Sequence, residues 1–267
     1  MTLGMKCFIL LIYNAGIRKE SASLFQGRCI FAHMSEYATS FSGFAAVLPA
    51  GGLGKRMGGS IPKQMLEIDG RPIWRYSLDL FLDHPGIREV VLVVPAEWRS
   101  HFESEVSESD VKIVTGGVER WQSVQNGVSA LSPDIRWVLV HDVARPFLQS
   151  SIIDSVLERV QQGACIVAKP VADTVKVVRD GIIETTIDRS SVWLAQTPQA
   201  SEVSVLKECY QRMGHEALPF VPTDEASILE RYSIPVGIVQ GNSWNDKVTN
   251  PEDLERFKYL LSQGLRS

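Results

Sequence analysis

The sequence predicts an α/β fold: a mostly parallel sheet with helices on both faces and a β-hairpin arm projecting from it. Three observations carry that expectation. Short runs rich in β-branched residues alternate with helical patterns from Phe44 onward. A glycine-rich turn follows the first of these runs directly, as at the start of many strand-turn-helix units. Late in the chain, two alternating segments are joined by an Asp-Gly turn.

The elements follow in order. Phe44 to Leu48 is an unbroken apolar run bounded by Pro49, the pattern of a strand buried on both faces. Ile73 to Leu82 has helical periodicity, and Glu89 to Val94 reads as a second buried strand ending at Pro95. Val111 to Val114 is a third strand, followed by a helical pattern over Val118 to Leu131 and a fourth strand over Trp137 to Val140. Ile152, Ile153, Val156, Leu157 and Val160 fall on one helical face. Val171 to Trp193 breaks the alternation: Asp173 to Val178 and Ile182 to Ile187 flank Arg179-Asp180-Gly181, giving the arm. The last helix is signed by Asn250 as N-cap, Pro251 at N1, Glu252 and Asp253 in the first turn and Gly264 past its end. In such sheets ligands sit beyond the carboxyl ends of the strands, where each conspicuous polar motif of this chain falls.

Composition excludes several classes. A net charge of -4 leaves no basic footprint for nucleic acid. Cys7, Cys29, Cys165 and Cys209 are widely separated and form no C-x-x-C pair, so neither a zinc site nor a disulfide framework is signalled. No apolar stretch reaches the roughly 18 residues of a membrane span. Residues 1–42 stand apart as an N-terminal extension, disordered or preceding the native start, with a single domain over 43–267. Cys7 to Tyr13 is a short apolar run, but no small-residue cleavage site follows it. Residues 1–33 hold four basic residues and one acid, a composition shared with organelle transit peptides; translation from Met34 accounts for it more simply. The expected location is cytoplasmic, with a plastid as the alternative if 1–33 is a transit peptide.

The motifs carry the chemistry. Ala50-Gly51-Gly52-Leu53-Gly54-Lys55-Arg56-Met57 places bare backbone N–H groups at the end of a strand, and Arg56 and Lys63 add two cations. That is a nucleotide-phosphate site in outline, yet it lacks the Gly-Lys-Ser/Thr ending of a P-loop and is out of step with G-x-G-x-x-G. Ordinary α/β punctuation is the bland alternative. Asp142, in His141-Asp142-Val143-Ala144-Arg145-Pro146, can accept from ribose hydroxyls, hold a phosphate-bound Mg²⁺ through water or merely cap a helix. Thr115-Gly116-Gly117 brings bare backbone to the same edge, with Ser123 one to two turns into the next helix. Lys247, just before the last helix, is solvated unless it faces the cleft of Arg56 and Lys63.

Taken together and in order, these motifs resemble the sugar-phosphate cytidylyltransferases. The likeness runs through Gly116-Gly117-x-x-Arg120-x-x-Ser123-Val124, His141-Asp142-x-x-Arg145-Pro146, Asp188-Arg189, Thr197-Pro198-Gln199, Thr223-Asp224-Glu225-Ala226 and Lys247-Val248-Thr249. It covers about Phe44 to Leu261 and is closer to the branch acting on 2-C-methyl-D-erythritol 4-phosphate than to the ribitol 5-phosphate branch. The resemblance implies a Rossmann-like nucleotidyltransferase fold, CTP and methylerythritol phosphate as substrates, pyrophosphate as by-product and Mg²⁺ carried mainly by the CTP phosphates with no direct protein ligand. It implies that Arg56, Lys63, Arg189 and Lys247 are catalytic, and that Asp142, Arg145, Thr174 and Thr223 bind the sugar phosphate. Ala50, Gly51, Gly52, Gly54, Gly117, Ser123 and Val143 match the nucleotide pocket. It also implies a homodimer in which arms are exchanged, so that each completes the other chain's site. Two positions depart from the pattern: Val118, where an acidic or small polar residue often stands, and Val143, in place of a common alanine. A same-fold module that binds nucleotide without catalysis is the alternative of another class.

Overall fold

The structure is a computed structural model that describes residues 43–51, 65–106, 111–215 and 220–264. At its centre is a seven-stranded sheet built from β1 (Phe44–Pro49), β4 (Glu89–Val94), β5 (Val111–Thr115), β6 (Trp137–Val140), β7 (Cys165–Pro170), β10 (Trp193–Glu202) and β11 (Gly237–Gln240). Their spatial order is β11-β7-β10-β6-β1-β4-β5. The pairs β1/β4, β1/β6, β4/β5 and β7/β11 are parallel, while β10 runs antiparallel to both its neighbours. Two two-residue strands, β2 (Glu67–Ile68) and β3 (Arg71–Pro72), pair with each other beside it.

The apolar run of β1 is explained by burial on both faces. Phe44, Ala46 and Leu48 join Val90, Leu92 and Val94 in one core cluster, under α1 (Ile73–Asp83), α2 (Arg99–Glu105) and α4 (Ser150–Val160). Ala45 and Val47 join Val91 and Val93 in the other, under α3 (Arg120–Ser129), α5 (Val203–Gly214) and α6 (Glu225–Arg231). Successive strand side chains point to opposite faces, so a strand covered twice has no polar position to spare. A third cluster joins Ile68, Ile73, Phe147 and Val248 to Phe257 and Leu260 of α7 (Pro251–Ser262). There Asn250 caps Asp253 N at 2.9 Å, as its position before Pro251 predicts.

The arm forms as expected, from β8 (Val175–Arg179) and β9 (Ile182–Ile187) in antiparallel register. Asp180 and Gly181 both take positive φ, 50° and 80°, which the two-residue turn between right-twisted strands requires. The predicted helix over Val118 to Leu131 is shorter, since Glu119 is drawn out of it into a capping box with Gln122. The sequence carries no expectation of a strand at β7, β10 or β11 or of a helix at α2, α5 or α6. Of the cysteines, Cys165 and Cys209 are buried and free; burial pushes the Cys165 thiol up to about 12, which removes it as a nucleophile. Cys7 and Cys29, and the expectations for residues 1–42, lie outside the described residues. Among the described residues no helix is long and apolar enough to cross a membrane.

Candidate active site

The carboxyl ends of β1, β4, β5 and β6 open onto one edge of the sheet. Ala50, just past β1, is buried and donates its N–H to Val93 O at 2.7 Å. Gly51 is exposed, the first residue of the glycine loop to clear the sheet. Gly52, Gly54, Arg56 and Lys63 lie outside the described residues. Past β5, Gly116 N donates to Val94 O at 2.8 Å, and Gly117 N donates to Ser123 Oγ at 3.1 Å. A Cβ on Gly117 would lie 2.4 Å from Gln122 Cβ, so only glycine brings the loop this close to α3. Ser123 is buried, and its hydroxyl holds the loop's shape. Val143 is also buried in the core, which leaves its backbone as the part able to meet a nucleotide.

A hydrogen-bond relay fixes the end of β6. Asp142 N donates to Thr197 Oγ1 at 3.1 Å, and Thr197 Oγ1 lies 3.0 Å from His141 Nδ1. His141 Nε2 lies 3.3 Å from Arg145 O, a carbonyl that can only accept, so the neutral imidazole carries its proton on Nε2 and Nδ1 accepts from the Thr197 hydroxyl. Burial pulls the His141 pKa down to about 4, opposed by Asp142 and helped by Arg145. The ring is therefore neutral and already bonded at both nitrogens, an orienting group and not a base. It also ties stability to pH. With a folded pKa below the unfolded 6.5, its contribution is complete above pH 6.5 and is lost as pH falls towards 4, by about 3 kcal/mol at the limit. His141→Gln should flatten that part of the stability profile in urea unfolding between pH 7 and 4.5; an unchanged slope would assign the loss to other groups.

Four charges run in a line across the same edge. Arg120 reaches both Glu225 oxygens, Nη1 to Oε1 at 2.7 Å and Nη2 to Oε2 at 3.1 Å. Its Nε and Nη2 also reach Asp142 Oδ1, at 3.0 and 2.9 Å. The other Asp142 oxygen accepts from Lys247 Nζ at 2.6 Å. Burial works against charge on Arg120, but Asp142 and Glu225 outweigh it and hold the guanidinium firmly protonated. Burial likewise opposes an ionised Asp142, yet Arg120 and Lys247 hold its carboxyl well below the usual carboxylate range. The Glu225 side chain is only 3% exposed, and burial pushes its carboxyl upward against the pull of Arg120.

Arg145 donates to Asn245 O at 2.9 Å, while its buried Nε has no hydrogen-bond partner. Thr223 is exposed next to Asp224, whose carboxylate caps Ser227 N at 2.9 Å and accepts from Gln199 at 2.9 Å. Thr174 and Arg189 sit on the exposed arm, with Arg189 donating to Ala172 O. The structure therefore unites Asp142 with Lys247, and Ser123 with Gly117, but within one chain no hydrogen bond joins the arm residues to Asp142, Arg145 or Lys247. Among the described residues no group of three His, Cys, Asp or Glu is arranged to hold a metal. Asp142 has both oxygens engaged by cations, the opposite of a vacant ligand.

Arg120, Glu225 and Thr197 stand within the sequence motifs, which by themselves assign them no role. Their signal is chemical: a glutamate inside Asp-Glu-Ala that starts an apolar helix needs a buried cation, and Arg120 stands beside the Gly-Gly pair.

A mostly parallel α/β sheet whose carboxyl edge carries glycine loops, cations and a buried charge line defines a nucleotidyltransferase. The sequence model of 2-C-methyl-D-erythritol 4-phosphate cytidylyltransferase matches residues 44–263, and the chain belongs to that family. It is 39% identical over 229 residues to the enzyme of that name from Bacillus licheniformis, covering 84% of this chain and 98% of that one. To the one from Syntrophus aciditrophicus it is 40% identical over 216 residues, 78% of this chain and 92% of that one. Among solved structures, the 4-diphosphocytidyl-2C-methyl-D-erythritol synthase of Anaerococcus prevotii superposes with a TM-score of 0.73 at 27% identity, covering 83% of this chain and 99% of that one. The Francisella tularensis 2-C-methyl-D-erythritol 4-phosphate cytidylyltransferase gives 0.71 at 30% identity, over 82% and 99%.

Proposed function

We propose that this enzyme transfers the cytidylyl group of CTP to 2-C-methyl-D-erythritol 4-phosphate, releasing pyrophosphate and forming 4-diphosphocytidyl-2-C-methyl-D-erythritol in the non-mevalonate route to isoprenoid precursors. The observation that carries the reading is the Lys247–Asp142–Arg120–Glu225 line at the carboxyl edge of the sheet, in a chain of this family. A substrate phosphate oxygen attacks the α-phosphorus of CTP, the α–β bridging bond breaks, and pyrophosphate leaves with that electron pair. A phosphate monoester is already ionised near neutral pH, so no general base is needed, in keeping with a neutral, fully bonded His141. What the reaction needs is two anions held together against their repulsion, and so cations assigned to each.

In this reading Lys247 and Arg145, steadied by Asp142, receive the sugar phosphate with Thr223. The backbones of Ala50, Gly51, Gly117 and Val143 face the base and ribose with Gly52, and Ser123 keeps the Gly117 loop in shape. Arg56, Lys63 and Gly54 take the triphosphate. Mg²⁺ enters as part of the nucleotide substrate, neutralising phosphate charge.

The arm supplies the rest from a second copy. Ile182 and Ile183 are 72% and 59% exposed, and an isolated two-stranded ribbon with an apolar surface is marginal in water. Covered by a partner, it brings Thr174 and Arg189 to that partner's Lys247. Arg189→Ala and Lys247→Ala should each be nearly inactive, whereas re-formed heterodimers hold one intact pocket and recover about half of wild-type activity per heterodimer, or about a quarter in a statistical mixture. No recovery despite verified subunit exchange would place both residues in the same chain's site.

Pyrophosphate release with CTP and either methylerythritol 4-phosphate or ribitol 5-phosphate tests the function. Turnover with the first at least tenfold above the second is expected, on the order of what one net hydrogen bond contributes; a preference for ribitol phosphate, or no turnover with either, would overturn it.

A further inference from the structure

Asp246, next to Lys247, has no part in the reaction described above, yet its carboxylate is where three elements meet. Oδ1 accepts from Lys169 Nζ at 2.5 Å and from Gln196 Nε2 at 3.3 Å, and Oδ2 accepts from Arg256 Nη1 at 3.2 Å. Lys169 is the penultimate residue of β7, immediately before the chain leaves the sheet for the arm. Gln196 lies in β10 within the register shift between Ala195 and Gln199, and Arg256 lies in α7. Neighbouring bonds fasten the same loop: Asn245 Nδ2 to Thr197 O at 2.8 Å, Arg256 Nη2 to Ser243 O at 2.9 Å and Val248 N to Ala144 O at 2.8 Å. Lys247 therefore leaves a segment clamped on both sides, and its ammonium meets Asp142.

We propose that Asp246 is a positioning residue: by gripping Lys169 at the root of the arm, it holds the Lys247 ammonium in register with Asp142 and with the base of β7. The inference rests on the proposed role of Lys247 towards the sugar phosphate. A lysine is a point charge on a flexible stem, so its direction must come from what fixes its backbone. The ion pair is about three-quarters buried on both sides, which makes it a firmer anchor than an exposed pair.

Lysine reactivity reads the positioning whether or not the protein turns over the proposed substrates. Trace acetylation with acetic anhydride, quantified by mass spectrometry, gives the rate at Lys247 with Lys112 as internal reference. Lys169→Met is the deciding variant, with Lys169→Gln in reserve should it fail to fold. If charge alone coupled the two lysines, removing a cation would favour the protonated Lys247 and slow its labelling. Loss of the anchor instead frees the amine from Asp142, so labelling at Lys247 should rise several-fold while Lys112 stays constant. Asp246→Asn should act in the same direction and Asp246→Glu should restore the wild-type rate. In turnover, the KM for the sugar phosphate should rise about tenfold with the KM for CTP little changed, a displacement effect confined to one substrate. Slower or unchanged labelling of Lys247 in the Lys169 variant would overturn the proposal. Failure of the reaction itself would show in the wild-type assay and leaves the labelling result standing.

Discussion

Replacing Arg120 by methionine should destabilise the protein by about 3 kcal/mol, the low end for removing one partner from a buried ion pair. The loss is large because one guanidinium serves two carboxylates. Glu225 would be left buried without a counter-charge, and Asp142 would keep Lys247 as its one hydrogen-bonded cation, with Arg145 acting only from a distance. Arg120→Lys should recover only part of this, since an ammonium cannot fork between Oε1 and Oε2 of Glu225 while also reaching Asp142. Adding Glu225→Leu to Arg120→Met should regain stability relative to the single variant, because the orphaned charge disappears with it. Chemical denaturation of the three variants checks the account. A loss below about 1 kcal/mol for Arg120→Met would mean that the charge line contributes no more than a surface pair.

Lys63→Ala is expected to lower kcat by about 10²- to 10³-fold, the effect of one preorganised group that stabilises charge in the transition state. The argument is chemical: negative charge grows on the departing pyrophosphate, and a fixed ammonium lowers the barrier only where that charge develops. Arg56→Ala should behave alike. Lys63→Arg should rescue incompletely, a planar fork being a poor copy of a point charge. The melting temperature should stay near wild type, which separates lost chemistry from lost folding. Wild-type turnover in a folded Lys63→Ala protein would remove the residue from the mechanism.

The parts of the fold legible in the sequence are those in which local pattern and tertiary burial agree. Phe44 to Leu48 and Trp137 to Val140 are apolar throughout because both faces of those strands are covered. Arg179-Asp180-Gly181 marks the arm because the turn needs two positive φ values. The longest strand, Trp193–Glu202, is not legible: Pro198 sits inside the polar stretch Gln196-Thr197-Pro198-Gln199, and a proline there argues against a central strand. The structure accommodates it with a register shift between Ala195 and Gln199. Gly237–Gln240 is only four residues long and becomes a strand through pairing with Cys165 to Ala168. At the site, glycine loops and strand-end polar residues announce themselves locally. The pairings do not: Arg120 to Glu225 and Asp142 to Lys247 each span 105 residues, and no spacing rule reaches that far. Ser123 shows the complementary limit, since position in a motif does not say whether a hydroxyl turns towards a ligand or, as here, towards its own loop.

Oxygen tracing tests the transfer most directly. Methylerythritol 4-phosphate carrying ¹⁸O at its non-bridging phosphate oxygens is incubated with unlabelled CTP and Mg²⁺, and both products are examined by mass spectrometry and ³¹P NMR. Attack of a substrate phosphate oxygen on the α-phosphorus predicts a cytidine diphosphate product that retains all the label, with ¹⁸O in the new bridge, and pyrophosphate that carries none. Label in the pyrophosphate, or CMP in place of the diphosphocytidyl product, would contradict cytidylyl transfer by this chain.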